Sequence, residues 1–233
     1  MSLYKMVLFL HLALGVAALV SYWVAALAKK GSPPHKLAGN IYVLVMAALL
    51  LPAIPLTLRL MITRSHAFGW FLFYLLLITC TALWLGWFAV RNKRDFARYI
   101  GRAFRPLAWV NIAAGIAILG LGIASRQPIF IGFSVVGVLI GRGMLSLARK
   151  GPGHPRWWME QHMGAMLGCG VATHIAFLSI GLPRLLPSMA GPLVQNVAWL
   201  GPLAVAGAAR VWLGHKYLPK SVAPPPQAGA DPR

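Results

Sequence analysis

Seven blocks of predominantly apolar residues take up most of this 233-residue chain. Each is long enough to cross a bilayer core, which needs about 20 helical residues. They run from Tyr4 to Ala28, Leu37 to Met61, Phe68 to Val90, Pro106 to Ala124, Ile129 to Leu147, Trp158 to Leu182 and Gly191 to Leu213. Charged residues make up only 11% of the chain, against roughly a quarter in soluble domains. The sequence therefore predicts an all-α, polytopic membrane bundle of seven transmembrane helices over 1–218. A Pro-rich, disordered tail is expected over 219–233. Dinucleotide-binding sheets, zinc-finger modules and soluble hydrolase folds have no room.

A formal charge of +19 resembles a nucleic-acid signature, but its distribution argues against nucleic acid. The connections after spans one, three and five, with the tail, hold 17 of the 22 basic residues. Lys and Arg in short loops stay on the cytoplasmic side, so the amino terminus is expected outside and the tail inside, in a cell (inner) membrane. The partners implied are anionic headgroups facing that basic surface. Trp23, Trp87, Trp109, Trp157, Trp158 and Trp212 fall near the predicted inner ends and Trp70 near the outer, as an interfacial belt would. Cys80 and Cys169 read as packing residues. In the loop 91–105, a turn of amphipathic helix is expected, with Arg91 and Asp95 spaced to pair. Pro52 and Pro55 should break or kink span two.

With three acidic residues in all, chemistry built on paired carboxylates has almost no material. Seven histidines remain, and two of them, His11 and His174, lie inside spans. A polar ring there usually faces the bundle interior. At a rise of about 1.5 Å per residue, His11 falls roughly 10 Å and His174 roughly 12 Å below the outer edge. His35 and His162 both fall near the inner edge.

Three chemistries are open. Axial ligation by neutral imidazoles would place one haem b between His11 and His174 and another between His35 and His162. Arg142, about five residues inside the end of span five, would meet a propionate. Gly15, Gly164, Gly168 and Gly170 would leave space for the macrocycle. A redox protein of this kind would pass electrons to a partner such as a quinone. Alternatively, His35, His154, Glu160 and His162 would hold a divalent metal such as zinc or copper, for an enzyme acting on a lipid or small apolar substrate. The third chemistry is structural or proton-relaying, in a transporter or assembly factor. Small residues such as Gly115, Gly137 and Gly141 read as close helix contacts.

One stretch, Lys29-Lys-Gly-Ser-Pro-Pro-His35-Lys-Leu-Ala-Gly39-Asn-Ile-Tyr42-Val-Leu-Val-Met46, follows a first-span His11-Leu-Ala-Leu-Gly15. Later come Gln161-His162-Met163-Gly164-Ala165-Met166 and Thr173-His174-Ile175-Ala176-Phe177-Leu178. In this order, they resemble the bacterial membrane-protein family named domain of unknown function 2306. The resemblance covers spans one, two and six. It implies a multi-pass membrane fold and weight on His11, His35, Gly39, Tyr42, His162 and Met166, but no reaction.

Overall fold

The computed structural model describes residues 2–63, 65–181, 186–187 and 191–218, with 180 and 192 by backbone alone. The expected tail over 219–233 lies outside the described residues. Among those described there is no strand. The helices are α1 (Leu3–Leu27), α2 (Pro33–Thr63), α3 (His66–Arg91), the short α4 (Phe96–Tyr99), α5 (Phe104–Ala124), α6 (Pro128–Lys150), α7 (Trp157–Ile175) and α8 (Pro192–Tyr217). All but α4 are long and apolar enough to cross a membrane, so the chain is a seven-helix membrane-spanning protein. The turn Ala176–Gly181 prolongs α7 in π form.

Local chemistry sets the helix ends. Gly31 (φ 81°) and Gly151 (φ 77°) take the left-handed region that a Cβ penalises, in the turn after α1 and just past α6. Ser65 caps α3 by accepting from the Phe68 N–H. Asp95 caps α4 by accepting from the Arg98 N–H at 2.9 Å. Asp95 is thus an N-cap, and its expected i,i+4 partner Arg91 instead lies over the Trp87 ring. The helix α2 continues through Pro52 and Pro55, so of the break or kink expected there the break does not occur.

Contacts between helix ends sort them into two sets. At one end, Arg156 donates to the Tyr217 carbonyl at 3.0 Å, and Phe96 and Tyr99 pack on Trp157. At the other, Arg59 stacks over Tyr4, and Ser65, Ser125, Gln127 and Gln195 line one cavity. Successive spans therefore alternate in direction, and the connections rich in Lys and Arg collect at the first end, called here the basic end. Three apolar clusters fill the interior, and α3 contributes to all of them.

α5 and α6 meet most closely. A Cβ on Gly137 would stand 2.8 Å from the Asn111 carbonyl, and one on Gly115 2.7 Å from the Ser134 carbonyl. Tyr74 of α3 ties this seam down, donating to the Phe133 carbonyl at 2.7 Å and accepting from the Gly137 N–H at 2.8 Å. The expectation that these glycines serve close helix approach agrees with this packing.

Candidate functional site

On three helices the same spacing recurs. His11, Gly15, Ala18 and Tyr22 follow a 4-3-4 step along α1, as do His35, Gly39, Tyr42 and Met46 along α2, and His162, Met166, Cys169 and Thr173 along α7. Residues at such steps share one helix face. The three faces meet. Ala18, Tyr42, Met46 and Cys169 lie in one buried cluster with Met166 and Tyr22 packed against it. Tyr42 and Thr173 hydroxyls share a hydrogen bond of 3.1 Å, and Thr173 also reaches the Met46 sulfur. The Tyr22 and Tyr42 rings are 5.4 Å apart. Residues up to 155 positions apart in the chain, Ala18 and Thr173, thus line a single seam between α1, α2 and α7.

At the basic end of this seam stand His35 and His162. Nδ1 of His35 is 2.9 Å from the Ala25 carbonyl of α1, and Nδ1 of His162 is 2.9 Å from the Gly86 carbonyl of α3. A carbonyl only accepts, so in both rings Nδ1 carries the proton and donates. A neutral ring held this way keeps its lone pair on Nε2. Ligating histidines show this arrangement, the outer N–H held by a carbonyl and the other nitrogen turned to the metal. His35 and Lys30 are neighbours of His162. The Lys30 ammonium donates to the Ala25 and Ala26 carbonyls at the end of α1, and partial burial holds its pKa below the usual lysine range.

The second expected pair does not form. His174 donates through Nδ1 to the Gly170 carbonyl at 2.7 Å and accepts at Nε2 from the Trp23 indole at 2.9 Å, so neither nitrogen is free. Its ring packs edge-on against Tyr22 and Trp23. Trp23 is twelve residues beyond His11 on α1, about 18 Å along the axis. His11 lies beside the Leu49 carbonyl of α2, and its Nδ1 is buried with no partner among the described residues. Depths counted from each helix's own end failed because the helices are offset along the bundle axis.

Other expected members also lie elsewhere. Arg142 is exposed on α6, which packs mainly on α5; the cation beside the imidazole pair is Lys30. The four-residue metal set divides. His154 donates to Glu160 at 3.3 Å while its Nδ1 accepts from the Arg156 N–H at 3.1 Å, and Arg210 shares the same carboxylate at 3.8 Å. Among the described residues, no three His, Cys, Asp or Glu side chains gather closely enough to hold a metal ion. Of the glycines expected to leave space for a macrocycle, Gly170 is filled by the Tyr22 ring and Gly164 by the Arg210 guanidinium, whereas a Cβ at Gly39, one turn from His35, would meet nothing within 4 Å.

Sequence reasoning missed Lys30, Tyr22, Trp23 and Thr173. The repeated 4-3-4 step was the signal that would have found Tyr22 and Thr173. No protein-family model, curated protein or solved structure matches the chain.

Proposed function

We propose that the chain is a membrane redox protein holding one haem of b type at its basic end, with His35 and His162 as the axial pair. The observation that carries this reading is the fixed tautomer of both rings: two imidazoles from different helices, each with Nδ1 spent on a backbone carbonyl and Nε2 available. Lys30 is the cation nearest to receive a propionate carboxylate. The open face at Gly39 supplies room beside His35, and the packed Tyr22, Tyr42 and Met46 close the seam above it against water. The haem would supply a one-electron centre, and the helices its ligands, burial and charge. The gathering of His35, Tyr42, His162 and Met166 into one seam supports membership of the family named domain of unknown function 2306, whose pattern weights those positions.

Absorption spectroscopy of the full chain extracted from haem-replete cells tests this. A Soret band is expected, lost in both His35→Ala and His162→Ala and kept in His174→Ala. Colourless protein, or a band indifferent to His35 and His162, would overturn it.

A further inference from the structure

The turn joining α3 to α4 is tightly held and strongly charged. Asn92, 5% exposed, closes α3 by donating through its side chain to the Phe88 carbonyl at 2.9 Å. The Asp95 N–H donates to the Asn92 carbonyl at 2.9 Å, and beyond the turn Phe96 and Tyr99 are anchored on Trp157. This frame borders an open cavity of about 330 Å³ lined by Arg91, Asn92, Lys93, Arg94, Asp95 and Arg98. Four cations stand there against one carboxylate, which is already engaged with the Arg98 N–H. Among the described residues none of the four enters an ion pair. Arg91 lies over the Trp87 ring at 5.0 Å and Lys93 over the Trp158 ring at 6.0 Å, so these two are settled on indoles. Arg94 and Arg98 are left to engage a ligand.

Cations gathered without counterions repel one another, and a bound anion relieves that repulsion. Guanidinium groups pair with phosphate oxygens two at a time, so phosphate is the anion this lining fits. The surface beside the cavity narrows the choice. Trp87, Val90 and Arg91 stand at i, i+3 and i+4 on one face of α3, and Trp87 is 39% and Val90 40% exposed. A molecule with its phosphate at the cavity therefore meets apolar surface running along a membrane-spanning helix. Free phosphate leaves that surface uncovered. A choline headgroup carries a cation of its own into a lining where cations already outnumber the carboxylate. We propose that this corner binds a phospholipid of net negative charge, its phosphate held by Arg94 and Arg98 and its acyl chains lying over Val90 and Trp87. The attraction expected of the whole basic end is diffuse, whereas this is a single formed site within it. Neither His35 nor His162 lines the cavity, so the site stands apart from the haem reading.

Native mass spectrometry of the full-length protein in detergent, titrated with dioleoyl-phosphatidylglycerol or dioleoyl-phosphatidylcholine, tests the proposal. One-to-one retention of phosphatidylglycerol is expected at concentrations where phosphatidylcholine is not retained. Arg94→Gln and Arg98→Gln should each weaken it about tenfold, as loss of one charge-assisted hydrogen bond does. Both side chains are exposed, so neither change removes a core contact. Arg149→Gln and Lys150→Gln take the same charge from the end of α6, at the same end of the bundle, and should leave the affinity unchanged, as should His162→Ala. Equal weakening by all four charge changes marks diffuse attraction and overturns the proposal. So does equal retention of phosphatidylcholine, or displacement of the lipid by inorganic phosphate at matching concentration.

Discussion

The α5–α6 seam and the α1–α2–α7 seam are both built with glycine, yet they use it in opposite ways. Between α5 and α6, the missing Cβ lets backbone approach backbone, with the Gly137, Gly141 and Gly115 positions facing carbonyls of the partner helix. On α7, the notches at Gly164 and Gly170 admit the ends of side chains, the Arg210 guanidinium and the Tyr22 ring. The first seam has no histidine, cysteine or acidic residue on either helix. The second concentrates His11, His35, His162, His174 and Cys169. Backbone contact gives close van der Waals packing with nothing left to react; side chains in notches bring polar groups together inside an apolar bundle. One seam joins backbone to backbone, and the other gathers polar side chains.

Substitutions at the two seams should separate accordingly. The largest effect expected is spectroscopic: His162→Ala should remove the whole Soret band. Next comes the converse. Gly141→Ala drives a methyl group into the Ala108 carbonyl, and a backbone group cannot swing away. A loss of about 1–3 kcal/mol is expected from such overpacking, read as a lower thermal transition, with unchanged absorbance per folded molecule. If Gly141→Ala bleached the band at unchanged stability, the division between the seams would fail. Smaller again is Tyr42→Phe. It removes the bond to Thr173, which within a membrane bundle is worth about 0.6 kcal/mol on average. It should lower the thermal transition slightly and leave the band in place, since the His35 and His162 rings are held through Nδ1 by carbonyls and not by that hydroxyl.

The seven spans were legible because apolar length alone specifies a helix in lipid, where each backbone group must be satisfied within its own segment. Basic connections showed which ends gather together. The site was legible in part. His35 and His162 were singled out because few polar residues interrupt the apolar runs. Their partners were not, because the Ala25 and Gly86 carbonyls have no side-chain signature. The pairing of His11 with His174 failed for a geometric reason: α1 has 25 residues and α7 has 19, and nothing in the sequence states how far one slides against another. Arg142 and Lys30 show the same limit from another side. Both are basic residues near an inner end, and only packing distinguishes a side chain on the outside of α6 from one at the mouth of the seam.

A further effect, opposite in sign, lies outside both seams, at Tyr99 in α4. Its ring is fully buried among Trp84, Phe88, Phe104 and Trp157, and its hydroxyl has no hydrogen-bond partner among the described residues. Burial without a partner penalises the phenolate, so the pKa is pushed well above the usual tyrosine value. The unfolded chain releases this proton near pH 10, while the folded chain still holds it. The contribution of Tyr99 to stability is therefore complete below pH 10 and declines as the pH rises toward the folded value. Tyr99→Phe deletes an unsatisfied polar atom and keeps the ring. It should stabilise the protein by about 1 kcal/mol at neutral pH and flatten the decline above pH 10, both measured as thermal transitions in detergent across a pH series. A destabilised Tyr99→Phe would mean that the hydroxyl has a partner, and α4 would then join the polar seam instead of packing beside it as an apolar wedge.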